Sequence, residues 1–395
     1  MNKQRKHKIY ILFIIFTLFI PNKVFAEVEE PKNLNSESAI LIDATTGQIL
    51  YEKNIHQQMY PASITKIVTG IIAIEQGNLN DIVTISENAR YIDGTRVYLE
   101  LGEKVTLLKL VKGLLINSGN DAGVAIAEHM DGSVEEFSKR MNEFVREKIG
   151  VENTTFKNPH GLYDPEHVTT AYDMALITQY AMQNETFREI VGTKNMKWTG
   201  VAWDTILYNH HQLVRQRDDV IGVKNGYVSQ SGFTLVTAGQ RDNIELIVVT
   251  LKSDSANFAY QDTEALLEYG FENYQTNLIT VKELKSLDVD DQFEIEEDLY
   301  FTSKLNETFT NKINEFGTLL VENEAGEVIY SFKLNKKPKN EEVVKNSEDG
   351  PVKQETKDES NSLQVIFIVV IGLLIILAGI LILQKRHRRK NRFFY

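Results

Sequence analysis

Tyr60-Pro61-Ala62-Ser63-Ile64-Thr65-Lys66-Ile67-Val68-Thr69-Gly70 is the stretch on which the reading of this chain turns. Pro61 lies just before a strongly apolar run, and Gly77 lies just after it. The pattern predicts a helix over 64–76. Residues three apart in a helix share a face, one turn from each other, so the Ser63 hydroxyl and the Lys66 amine come into reach. A serine alone is a poor nucleophile, and a neutral amine in contact takes its proton. A lysine does this only where burial or a nearby cation lowers its pKa. A plain helix N-cap is the default role for a serine before a helix, and Ser-x-x-Lys by itself does not lift Ser63 out of it.

Two further elements bear on the choice. Ser118-Gly119-Asn120 follows the apolar segment 107–116 and precedes a helical run over 122–130. The same residues are also ordinary turn chemistry. Lys224-Asn225-Gly226 precedes a strand-like run over 233–238. Gly226 lets a substrate backbone come close, and Asn-Gly is also a common hairpin turn. The three in this order parallel the set S-x-x-K, S-D-N and K-T-G of class A β-lactamases and penicillin-binding proteins, with one residue different in each of the last two.

At these residues the chain resembles the low-molecular-mass penicillin-binding proteins, the serine-type D-alanyl-D-alanine carboxypeptidases. Their second motif is often Ser-Gly-Asn, as here. Surrounding text matches too: Ala39-Ile40-Leu41-Ile42-Asp43-Ala44-Thr45-Thr46-Gly47-Gln48-Ile49-Leu50-Tyr51, Asn158-Pro159-His160-Gly161-Leu162, and Thr169-Thr170-Ala171-Tyr172-Asp173-Met174-Ala175. The resemblance covers about 36–273 and extends more faintly to about 334. It implies removal of the terminal D-Ala from peptidoglycan stem peptides, with β-lactam antibiotics as inhibitors and no cofactor. It implies Ser63 as nucleophile, Lys66 as base and Ser118 as proton relay to the leaving amine. Asn120 is expected to orient Lys66 and the substrate amide, and Lys224 to keep Lys66 neutral and attract the substrate carboxylate. Asn225, Gly226 and Tyr227 complete the substrate-binding set, with the backbone N–H groups of Ser63 and Tyr227 holding the oxyanion.

The third motif departs from the family, with Asn225 where threonine is usual. The family uses that hydroxyl to hold the substrate carboxylate, and an asparagine amide also donates a hydrogen bond. Many members bind the terminal carboxylate with an arginine after the following strand; the cation near that place here is Lys252. Three other functions share these features: a DD-transpeptidase, a β-lactamase, and a catalytically impaired penicillin- or peptidoglycan-binding protein.

Strand-like runs over 39–42 and 48–52 flank the turn 43–47, and a second hairpin joins 233–238 to 245–251. Segments 64–76, 107–116, 124–130, 134–149, 171–183 and 263–271 read as helices. Strands at both ends with helices between predict an α+β fold, an antiparallel sheet carrying a helical cluster; the resemblance implies the β-lactamase/penicillin-binding-protein-like fold of that kind. The site is expected between the strand carrying Lys224 and the helical subdomain. Short alternating segments over 276–335 predict a small all-β domain after a catalytic domain over 27–275.

The chain has 395 residues, 42% hydrophobic, and no cysteine, which excludes disulfides and thiolate chemistry. A net charge of −12 argues against nucleic acid as a partner. His160, His167, His210 and His211 fit no common zinc spacing, so no metal is expected. Residues 1–26 read as a signal peptide: Lys3, Arg5, Lys6 and Lys8, then an apolar run over 9–20, then Val24-Phe25-Ala26; an uncleaved anchor is the alternative. Residues 336–361 are charged and poor in apolar side chains, the composition of a disordered tether. Residues 362–384 are long and apolar enough to span a hydrocarbon core of about 30 Å. The basic tail 385–395 follows at once, which places it in the cytoplasm and the catalytic part outside, a single-pass cell-membrane protein.

Overall fold

The computed structural model describes residues 29–288 and 291–337. At its centre is an antiparallel sheet of β1 (Ser38–Asp43), β2 (Ile49–Lys53), β3 (Val220–Val228), β4 (Gly232–Arg241) and β5 (Ile244–Ser253). The spatial order is β2-β1-β5-β4-β3, so the first strand lies inside the sheet between β2 and β5. Successive strand side chains point to opposite faces. Ile40 and Ile42 of β1 enter one apolar core with Ile247 and Val249 of β5. Ala39 and Leu41 enter a second, with Leu246 and Val248. Both faces are covered, so these strands read as near-continuous apolar runs.

The first core is completed by helices α1 (Lys66–Gln76), α2 (Leu107–Ile116), α3 (Asn120–Asp131), α4 (Val134–Phe144) and α5 (Ala171–Met182). Helix α1 is buried from Lys66 to Ala73, as expected of a helix that is apolar all round. Helix α6 (Ala256–Asn273) covers the other face with Leu266 and Leu267. Three expected helices shift at their ends. Helix α3 starts at Asn120, because its first turn is polar and carries no hydrophobic signal. Helix α4 gives way to a π turn over Val145–Ile149. Helix α6 begins earlier than expected, capped by the Ser255 side chain.

Two local readings are corrected. Ser63 is not a cap: it lies inside the 3-10 turn Ala62–Thr65 that leads into α1, and no side-chain cap forms there. Asn225-Gly226 is not a hairpin turn: both residues lie within β3, paired with Leu235 and Thr234 of β4. The ladder continues to the pair Val228–Gly232, which moves the reversal to 229–231.

Beyond α6 the chain forms β6 (Tyr274–Ile279) paired with β7 (Leu299–Lys304), and a meander of β8 (Phe309–Ile313), β9 (Thr318–Asn323) and β10 (Val328–Lys333). The region is not all β: helix α7 (Val281–Leu287) starts with a capping box of Thr280 and Glu283. Such a box satisfies two N-terminal donors at once. These strands meet the main sheet at Asp43, whose Oδ2 accepts from Thr276 at 2.7 Å and Thr302 at 2.8 Å. Among the described residues no helix is long and apolar enough to cross a membrane. The expected signal peptide and span, and nearly all of the tether, lie outside those residues, as does the basic tail.

Candidate active site

Lys66 opens α1 and Ser63 precedes it by one 3-10 turn, in which residues i and i+3 eclipse. The Lys66 Nζ lies 2.8 Å from Ser63 Oγ and 2.5 Å from the His160 carbonyl oxygen. Burial, with Lys224 as the second cause, holds the Lys66 pKa well below the usual lysine range. A neutral amine keeps two hydrogens and one lone pair. One hydrogen goes to the His160 carbonyl, and the lone pair is left for the Ser63 proton.

The carbonyl is held in place by its own loop. Asn158 Oδ1 accepts the Gly161 N–H at 2.7 Å and the His160 N–H at 3.3 Å. Gly161 has φ +87°, and a Cβ there would lie 1.9 Å from the Ala62 carbonyl oxygen. Only glycine permits both that conformation and that approach. Two non-glycine residues beside the site are also left-handed, Ala62 at φ +50° and Ser118 at φ +63°. Backbone strain of this kind gathers at functional sites.

Strand β3 forms the opposite wall. A Cβ on Gly226 would lie 2.7 Å from the Ser63 nitrogen and 2.6 Å from Thr234 Oγ1, so the strand backbone passes directly against the serine. Thr234 Oγ1 donates to the Pro61 carbonyl at 2.9 Å and ties the sheet to the same turn. Lys224 is buried behind this wall and donates to the Asn225 carbonyl at 2.8 Å. Burial lowers its pKa to about 7.

A cleft of about 240 Å³ opens between the walls, lined among others by Ser63, Ser118, His210, Asn225, Gly226 and Tyr227. The Tyr227 ring stands half-exposed beside Phe233, centroids 4.5 Å apart. The structure thus brings together Ser63, Ser118, Asn225, Gly226 and Tyr227 around the cleft, with Lys66 and Lys224 buried behind. The Asn120 Nδ2 donates to the Asp93 carbonyl at 2.7 Å, and no hydrogen bond joins Asn120 to Lys66 among the described residues. The loop carbonyl already takes the amide at the first turn of α3. Lys252 pairs with Glu37 at 2.9 Å on the exposed surface and does not line the cleft.

Three contributors escaped the sequence reading. The His160 carbonyl is a backbone group, signalled only by the Asn-Pro-His-Gly-Leu text. Asp121 is wholly buried and accepts the N–H groups of Val97, Leu99 and Ala122, at 3.0, 3.2 and 2.9 Å. It fastens the loop that carries the cleft residue Thr95 to α3, a role hidden when Ser-Gly-Asn-Asp is read as a turn. His210 was weighed only as a metal ligand.

The whole length 25–255 matches the protein family described as D-alanyl-D-alanine carboxypeptidase, more than half of the chain. The chain belongs to that family. Among similar carboxypeptidases is DacF of Bacillus subtilis (strain 168), 35% identical over 248 residues, which are 61% of this chain and 64% of that protein. DacD of Escherichia coli (strain K12) is 32% identical, over 62% of this chain and 66% of that protein. The chain therefore spans just under two thirds of the length of these carboxypeptidases. Among solved structures, penicillin binding protein 5 from Haemophilus influenzae is similar with a TM-score of 0.68 and 26% identity, covering 78% of this chain and 98% of that one. These likenesses place the fold with the α+β penicillin-binding-protein and β-lactamase folds.

Proposed function

We propose that this carboxypeptidase-family chain removes the terminal D-Ala from peptidoglycan stem peptides through an acyl-enzyme on Ser63. The observation that carries the reading is the 2.8 Å contact of Ser63 Oγ with a buried Lys66 whose pKa is depressed. Ser63 attacks the carbonyl of the penultimate D-Ala while Lys66 takes its proton. The backbone N–H groups of Ser63 and Tyr227 hold the oxyanion; such donors contribute roughly 3–4 kcal/mol each in known hydrolases. Ser118 passes the proton to the leaving D-Ala amine. Lys224 supports the neutral state of Lys66 and draws the substrate carboxylate. Water then releases the shortened peptide, and β-lactams acylate the same oxygen.

Incubation with penicillin adds its own mass to the tryptic peptide carrying Ser63, and Ser63→Ala removes both that adduct and D-Ala release. An unmodified Ser63 peptide at saturating penicillin sinks the reading. One observation favours a second function, a penicillin-binding receptor without turnover: Asn225 stands where the family has threonine.

The placement in the cell belongs to the same proposal. Residues 1–26 direct export, 362–384 anchor the chain, 385–395 stay in the cytoplasm, and the β-rich stretch 276–335 with the charged tether holds the cleft off the membrane.

A further inference from the structure

The cleft has an unusual charge inventory for a site that takes a peptide with a free carboxylate. No arginine and no lysine is among the residues that line it. Lys224 stands behind the wall, its ammonium committed to the carbonyl and side chain of Asn225. The one lining side chain that can become a cation on protonation is His210.

His210 is held by a turn that is fixed on every side. Its N–H donates to the Ile116 carbonyl at 3.0 Å, at the end of α2 and two residues from Ser118. Its own carbonyl accepts from the Tyr260 hydroxyl at 3.4 Å. On one side Asn209 spans the carbonyls of Val191 and Thr193, at 2.8 and 3.1 Å. On the other, the His211 N–H bonds Asn209 Oδ1 at 2.9 Å and the His211 ring bonds Thr237 at 2.8 Å. The backbone is spoken for, yet the His210 ring makes no hydrogen bond among the described residues. Its nitrogens are not sealed in the core. His210 lines the same cleft as Ser63, Ser118 and Asn225.

We propose that His210 is the specificity residue that reads the terminal carboxylate of the substrate, making the direct contact that Lys224, set behind the wall, supports only by its charge. This rests on the carboxypeptidase reading above. Neutral imidazole donates one hydrogen bond, and imidazolium adds charge. The charged groups facing it are Lys224 on β3, Lys66 on α1 and Arg215 on the short helix Gln212–Gln216, with the Tyr260 hydroxyl from α6. Burial and these cations lower its pKa to about 4 in the empty cleft. A bound carboxylate opposes them and raises it. The sign follows: affinity for a carboxylate-ended substrate strengthens as pH falls from the raised, occupied value toward about 4. Loss of charge on Lys224 acts separately, above about 7.

The test compares kcat/KM for a peptide ending in D-Ala-D-Ala with that for the same peptide as its C-terminal amide, from pH 5 to 8. Protonation of Lys66 lowers both rates alike and drops out of the ratio. In the wild type the acid-ended peptide is preferred, and the preference grows by about an order of magnitude toward pH 5. In His210→Gln the preference between pH 5 and 7 becomes flat. In His210→Ala it falls by roughly 10- to 100-fold, the range of a lost hydrogen bond to a charged group. The same pH slope in the wild type and His210→Gln overturns the proposal and leaves the carboxypeptidase reading standing. Cleavage of neither peptide by the wild type overturns both.

Discussion

At the scale of single residues, the chain carries the serine and lysine of the S-x-x-K motif, and the proposed carboxylate site departs from the usual motif at Asn225. Asn225 lies on the cleft with its Oδ1 3.3 Å from the Lys224 ammonium. That contact turns the amide nitrogen away from the lysine, free to donate toward a substrate. Replacing Asn225 by Ala removes the donor. A lost hydrogen bond to a charged group costs about 1.5–3 kcal/mol, so kcat/KM falls roughly 10- to 150-fold, mostly through KM. Asn225→Thr restores the usual motif and keeps or raises D-Ala release. A silent Asn225→Ala in an active wild type shows that the carboxylate is held elsewhere. Penicillin binding without D-Ala release in the wild type, with release gained in Asn225→Thr, marks the natural protein as a receptor. The residues at this scale were largely legible, because Ser63, Lys66, Ser118, Lys224 and Asn225 fall in short motifs whose spacing carries the chemistry. His210 was not legible, because its motif is a fold-level approach between the end of α2 and α6.

At the scale of elements, the 158–162 loop supplies the carbonyl that Lys66 meets. Its work depends on Gly161, where a Cβ would overlap the Ala62 carbonyl. Gly161→Ala pushes the loop away and withdraws the His160 carbonyl from Lys66. The left-handed conformation alone costs about 1–3 kcal/mol for an alanine, or roughly 2–4 °C in Tm per kcal/mol for a chain of this size. Gly102 supplies the control: it has φ +77° with nothing within 4 Å of an added Cβ. Both alanine variants melt lower, and only Gly161→Ala slows penicillin acylation of Ser63, by about 10-fold or more. Equal acylation rates in the two variants contradict the role given to the loop. Elements were read well where periodicity is strong, as in α2 and the β4–β5 hairpin. They were read poorly where a polar first turn starts a helix, as at Asn120, or where a turn-like Asn-Gly pair extends a strand, as at Asn225-Gly226.

At the scale of the whole molecule, the main sheet joins residues far apart in sequence. β1 pairs with β5, and Asp43 at the end of β1 receives the hydroxyls of Thr276 and Thr302. The catalytic sheet and the following β-rich stretch therefore share one buried carboxylate. The proposed topology makes its own prediction. Protease added to intact protoplasts removes the catalytic part and spares an epitope fused after residue 395. Destruction of that epitope in intact protoplasts, or survival of the catalytic part, contradicts it.

The sequence by itself determined the family, the α+β class and the cleft residues Ser63, Ser118, Asn225, Gly226 and Tyr227, because motif spacing and strand or helix period are local properties of the chain. Tertiary structure alone decided which groups complete the site. The depressed Lys66 pKa needs the full core around α1. The His160 carbonyl reaches Lys66 across 94 positions. Burial and approach of this kind depend on the packing of distant segments, and no window of sequence contains them.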